Sequence, residues 1–86
     1  MQFEFDNLKS ERNKEKHGID FIEAQHLWDR DVRMAPTISV KESRWAVTGT
    51  IDGICWTAIV TFRGENIRII SVRRARRNER EKYGQE

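Results

Sequence analysis

The run Ile54-Cys55-Trp56-Thr57-Ala58-Ile59-Val60-Thr61-Phe62-Arg63, entered through Asp52-Gly53 and left through Gly64-Glu65, decides the fold. Its period is two. Ile54, Trp56, Ala58, Val60 and Phe62 share one face, and Cys55, Thr57, Ile59, Thr61 and Arg63 share the other. The first face is apolar throughout and calls for a covering layer. Working outward, Arg44 to Ile51 and Glu65 to Arg73 keep the same period, and the glycine-containing pairs between them are tight-turn signals. The three segments predict an antiparallel meander. On its last strand Ile67, Ile69 and Ser71 oppose Arg68, Ile70 and Val72, so both faces are partly apolar and the strand belongs inside the sheet.

Upstream, Asp29 to Pro36 reads as a polar connection, with Ile38 to Val40 as a short edge strand after Pro36, which cannot donate to a ladder. Gln2 to Phe5 alternates polar and apolar residues and predicts a short opening strand. Two helices follow it. The first runs from Asn7 to about His17, with Asp6 as N-cap and Gly18 past its end. Leu8 is its only clearly apolar residue, so a hydrophobic stripe cannot explain it. Lys9, Arg12 and Lys16 fall on one face, with Asn13 close beside them and His17 at that face's edge. The second helix starts at Asp20, with Glu23 completing a capping box and Ile19 and Ala24 at the staple positions. Phe21, Ala24 and Trp28, flanked by Leu27, form the face expected to cover the sheet. Ala75 to Tyr83 is helical by propensity and stops at Gly84. The expected fold is therefore α+β: two N-terminal helices, an antiparallel sheet made of the meander plus the short N-terminal strand, and a C-terminal helix. Its 86 residues allow one domain, spanning 1–86.

Composition narrows the function. Charged residues reach 35%, against 37% hydrophobic, with a net charge of only +2. That balance hides an asymmetry: residues 1–67 carry 9 Lys and Arg against 11 Asp and Glu, and residues 68–86 carry 7 against 3. Six of those last seven cations are arginines, whose planar fork suits phosphate, so nucleic acid is the first partner to consider. The single cysteine, Cys55, excludes an internal disulfide and reads as a small buried residue, and His17 and His26 without a second cysteine make no structural zinc set. There is no apolar run of membrane-spanning length and no signal-peptide pattern at Met1–Asp6, which predicts a cytoplasmic protein without membrane contact. No phosphate-binding glycine loop and no nucleophile elbow occurs, and carboxylates are not grouped as a two-metal nuclease would need, so no metal or other cofactor is expected.

Cleaving an RNA phosphodiester without metal takes a base for the 2′-hydroxyl, cations for the charge growing on the phosphoryl oxygens, and an acid for the leaving oxygen. His17 offers an imidazole at a helix end beside Lys16; its alternative role is to satisfy the helix dipole. Arg63, in the turn after the middle strand, and Arg73, at the end of the last, are candidates to grip a phosphate, or are hairpin surface charges. Arg76, Arg80 and Tyr83 lie along one stripe of the C-terminal helix, and His26 falls on the outer face of the second helix, where solvent is its expected neighbour.

Phe5-Asp6, Lys9, Asn13 and Lys16-His17-Gly18-Ile19 leading into Phe21-Ile22-Glu23-Ala24 resemble the opening signature of the BrnT toxins of bacterial type II toxin–antitoxin systems. Arg44-Trp45, then Arg63-Gly64, then Ile67-Arg68-Ile69-Ile70-Ser71-Val72-Arg73-Arg74-Ala75 with Glu79 and Tyr83, resemble that family's second signature. The resemblance implies a fold similar to the RelE-type ribonuclease toxins and a growth-inhibiting endoribonuclease. It further implies neutralisation by a BrnA-like ribbon-helix-helix antitoxin, through which alone operator DNA would be reached. Carried over by position it points to Lys16, His17, Arg63, Arg68, Arg73 and Tyr83. Together with the charge pattern this makes His17, Arg63 and Arg73 the expected catalytic residues and Lys16, Arg68, Arg80 and Tyr83 the expected RNA contacts. The competing expectation is a non-catalytic nucleic-acid-binding module, or an inactive toxin homologue serving as an antitoxin-binding co-repressor; cation-dominated binding of that kind weakens steeply with salt.

Overall fold

The computed structural model describes residues 2–38 and 43–84. Strands β1 (Phe3–Glu4), β2 (Arg33–Pro36), β3 (Trp45–Ile51), β4 (Ile54–Arg63) and β5 (Asn66–Arg74) are interleaved with helices α1 (Asn7–His17), α2 (Phe21–Ala24) and α3 (Arg77–Tyr83). A 3-10 turn, Gln25–Asp29, continues α2. The sheet order is β1-β5-β4-β3-β2. The β3-β4-β5 meander is present with β4 over its expected span, but among the described residues the sheet has five strands and is mixed. β1 runs parallel to β5, pairing Phe3 with Ile67 and Glu4 with Arg68. An all-antiparallel sheet was the wrong expectation because the direction of a two-residue strand is set by where it docks, which local alternation does not encode.

The edge strand is also displaced from its expected place. Arg33–Pro36 pairs antiparallel with β3, from Arg33 opposite Thr48 to Pro36 opposite Trp45. Of the expected Ile38–Val40 strand, Ser39 and Val40 lie outside the described residues and Ile38 is fully exposed. Arg33-Met34-Ala35-Pro36 lacks alternation because both its faces are partly open, and Pro36 is tolerated where an edge strand needs no donor.

A bulge in β5 corrects the face assignment. Ile59 opposes Ser71 and Val60 opposes Ile69, which leaves Ile70 as the extra residue. The side-chain parity therefore reverses, and Val72 rather than Ser71 joins Ile67 and Ile69 in the core. That core, Ile19, Phe21, Ala24, Leu27, Val47, Trp56, Ala58, Val60, Ile67, Ile69 and Val72, lies between the sheet and the α1–α2 layer. Phe21 and Leu27 are almost wholly buried, so truncating either to alanine is worth about 3 kcal/mol of stability. Gly49 is where the 3-10 turn comes closest: a Cβ there would stand 3.1 Å from a Val32 methyl and 3.2 Å from a Leu27 methyl.

Capping follows the sequence. Asp6 Oδ1 accepts from Lys9 N–H at 3.0 Å, and Gly18 closes α1 at φ 82°. The capping box of α2 is complete, with Asp20 accepting from Glu23 N–H at 2.7 Å and Glu23 accepting from Asp20 N–H at 3.1 Å. What holds α1 to the sheet is polar. Its buried residues are Ser10 and Asn13, while Leu8 is 53% exposed. Ser10 Oγ accepts from Phe21 N–H at 2.9 Å. Asn13 Nδ2 donates to the Ile19 carbonyl at 2.8 Å and to the Val72 carbonyl at 2.9 Å, and its Oδ1 accepts from Val72 N–H at 3.1 Å. Asn13 is thus buried against β5 rather than standing with the exposed cations of α1.

Candidate functional site

The bulge at Ile70 has a direct effect on charge. Residues 68 and 73 would point to opposite faces of a regular strand, yet Arg68 opposes Thr61 and Arg73 opposes Thr57, two members of one face of β4. Arg63, Arg68 and Arg73 therefore share the sheet face turned away from α1 and α2. They do not share one place on it. Arg63 closes the β4–β5 hairpin opposite Asn66, and Thr57 lies six residues back along β4, so Arg63 and Arg73 are separated by about 20 Å.

At the hairpin end, Arg68 Nη1 stands 3.9 Å from Glu4 Oε1, and Asn66 Nδ2 donates to Glu4 Oε2 at 2.9 Å. Arg63 is exposed, and among the described residues no hydrogen bond or ion pair holds its side chain. At the opposite end, α3 lies over the sheet without a single buried residue of its own. Polar links fix it. Arg73 donates to both Glu79 oxygens, at 2.6 and 3.0 Å, and Glu79 also accepts from Arg76 N–H at 2.7 Å. Burial pushes the Glu79 carboxyl up, but the Arg73 guanidinium, the Arg76 N–H and the Thr57 hydroxyl outweigh it and bring it to about 2. Glu79 is accordingly a fixed anion and a poor proton acceptor. Arg80 Nη1 donates to the Ala75 carbonyl at 2.7 Å, and Tyr83 Oη donates to the Asp31 carbonyl at 2.6 Å. Arg80 and Tyr83, expected as RNA contacts, spend these polar atoms on orienting α3. Cys55 lies buried nearby, and desolvation raises its thiol above the ordinary range, so it offers no thiolate.

His17 and Lys16 belong to this second end. α1 begins beside Arg68, whose charge acts on Asp6, and reaches Val72 at Asn13. A rise of about 1.5 Å per helical residue against about 3.3 Å per strand residue then carries the last turn of α1 to the level of Arg73 and Arg74. His17 is half-buried and Lys16 exposed, and among the described residues no hydrogen bond or ion pair engages either side chain. Arg74, on the α1 face of β5, lies with its guanidinium 5.5 Å from the ring centroid of Trp56. Lys16, His17 and Arg74 on the α1 side and Arg73 on the opposite face thus stand at one level of the sheet, and Arg63 and Arg68 at the other end.

The sequence did not single out a cleft of about 620 Å³ at the β3–β4 turn, lined by His26, Asp29, Arg30, Thr50 and Asp52. His26 Nδ1 bonds Asp29 Oδ2 at 2.8 Å, and both side chains are about two-thirds exposed. His26 is solvent-facing as expected; the i, i+3 spacing of His26 and Asp29 was the available signal for the pair. Among the described residues no three His, Cys, Asp or Glu side chains are grouped as metal ligands, and no helix is long and apolar enough to cross a membrane.

Compared with models of protein families, residues 5–79 match the one described as ribonuclease toxin, BrnT, of type II toxin-antitoxin system. The chain belongs to the BrnT family. The match starts at Phe5, just before the cap of α1, and ends at Glu79, the anion that receives Arg73, so it takes in both basic ends of the sheet. A search of curated proteins returns no match to this BrnT chain. As a BrnT family member, the protein falls among toxins whose substrate is RNA and whose partner is an antitoxin.

Proposed function

We propose that this protein is a metal-independent endoribonuclease whose reacting phosphate sits at the C-terminal end of β5. What supports the reading is that Arg74, on the α1 face, and Arg73, on the other, end β5 at the level reached by Lys16 and His17, inside a chain of the BrnT ribonuclease family. His17 takes the proton of the 2′-hydroxyl as that oxygen attacks phosphorus. The P–O5′ bond breaks, the leaving oxygen takes a proton from solvent, and the products are a 2′,3′-cyclic phosphate and a 5′-hydroxyl. Charge growing on the phosphoryl oxygens is met by the Lys16 ammonium and the Arg74 guanidinium, with Arg73 held behind them by Glu79. Arg63, about 20 Å away, and Arg68, about 13 Å away, follow the RNA backbone rather than the scissile bond. Arg80 and Tyr83 act by holding α3.

The same reading takes residues 1–86 as one toxin domain of RelE-like fold, acting in the cytoplasm and neutralised by a BrnA-like ribbon-helix-helix antitoxin through which operator DNA is reached. A second proton acceptor is favoured by one observation: His26 is already oriented by Asp29 and lines a cleft at the same end of the sheet. Cleavage of an RNA oligonucleotide in EDTA by the parent, His17→Gln and His26→Gln proteins separates the two. Loss of activity in His17→Gln alone supports the first reading, and loss in His26→Gln alone replaces it with the second.

A further inference from the structure

α1 and α2 bound a groove of about 550 Å³ whose character is the reverse of the arginine face. Phe5 lies in it, and Ile22 stands at its side with 64% of its surface exposed. Its charged lining is mainly acidic: Glu11 and Glu15 from α1 and Asp20 from the start of α2. Among the described residues the one cation of the lining, Lys14, is bound to Glu23 at 2.7 Å and its charge also acts on Asp20, so neither Glu11 nor Glu15 is paired with it. Glu11 and Glu15 are like charges one turn apart, which weakens a helix, and among the described residues neither has a cationic partner. Leu8, 53% exposed, continues the same stripe of α1. Exposed Leu8 and Ile22 beside two glutamates without an ion-pair partner are poorly suited to RNA and suited to a protein segment of opposite charge.

We propose that this groove docks a helical segment of a protein partner that presents a bulky aliphatic side chain to Phe5 and Ile22 and flanks it with lysines or arginines for Glu11 and Glu15. For a type II toxin that partner is the antitoxin, so the assignment of the partner rests on the family reading; the chemistry of the groove does not. Docking there leaves the Lys16–Arg74 end untouched and gives an antitoxin a hold that does not compete with RNA.

The test uses the intact protein and a synthetic amphipathic helix of about 15 residues, leucine on one face and lysine on the other, beside a twin with glutamate in place of lysine. Titration followed by amide NMR shifts is expected to move resonances around Phe5, Glu11, Glu15 and Ile22, with the glutamate twin binding at least about tenfold more weakly. Glu11→Gln/Glu15→Gln and Ile22→Ser, all at exposed positions, are each expected to weaken the lysine peptide about fivefold or more while RNA cleavage is unchanged. No binding, equal binding of the two peptides, undiminished binding by both variants, or shifts confined to Arg63 or Arg73 overturns the inference. A protein that binds as expected but cuts no RNA leaves the groove assignment standing and overturns the ribonuclease reading.

Discussion

The amide of Asn13 is bonded to both the N–H and the C=O of Val72, at 3.1 and 2.9 Å, across 59 residues of sequence. This contact, with Ser10 and the Ile19 carbonyl, does for α1 what an apolar stripe does for most helices. Asn13→Ala removes all three bonds of the side chain and leaves a buried N–H of β5 without a partner, so it is expected to cost about 2–4 kcal/mol in urea unfolding. Leu8→Ala, by contrast, should cost no more than about 0.5 kcal/mol, because Leu8 is exposed.

Arg73 and Glu79 form a bidentate pair with side chains only 23% and 17% exposed. Removing one partner strands the other charge, and Arg73→Ala or Glu79→Gln should each destabilise the protein by about 2–3 kcal/mol. Replacing both, as Arg73→Met with Glu79→Leu, should recover most of that loss in the same unfolding measurement.

The Glu79 carboxyl, lowered from 4.5 to about 2, also sets a pH dependence. Between those values the unfolded chain binds the proton that the folded chain does not, so stability rises with pH there. The contribution is complete above about pH 4.5 and lost as pH falls towards 2. Acid titration of the unfolding midpoint should show a steeper limb for the parent than for Glu79→Gln.

Gly49 needs its missing side chain for space. A Cβ 3.1 Å from Val32 and 3.2 Å from Leu27 forces the 3-10 turn away from β3, and Gly49→Ala is expected to lower stability by about 1–3 kcal/mol in thermal unfolding.

Most of the scaffold was legible in the sequence because its signals are local. Asp6, Asp20 and Gly18 cap their helices as read, and β4 keeps its expected span. Three features were hidden for one reason, namely that long-range pairing decides them. The direction of β1 depends on its docking beside β5. Arg33–Pro36 carries no alternation because it is an edge. The bulge at Ile70 is invisible in a run of Ile and Val that supports either parity, and it alone brings Arg68 and Arg73 to one face. The residue types for the site were legible; their grouping was not. Arg63 is expected with His17 and Arg73 among the catalytic residues, yet it stands at the far end of the sheet.

That separation gives a kinetic prediction. Arg63→Ala should weaken RNA binding and lower the salt dependence of KM by about 0.7 in log–log slope, while kcat stays near the parent value. Lys16→Ala should lower kcat.

The most direct test of the account is cleavage of a defined RNA oligonucleotide by the purified, antitoxin-free protein in EDTA, with the folded His17→Gln variant beside it. The parent is expected to release fragments ending in a 2′,3′-cyclic phosphate, at a rate about 100-fold or more above that of His17→Gln. Cleavage that appears only when a divalent metal is supplied, or a His17→Gln protein as fast as the parent, would contradict it.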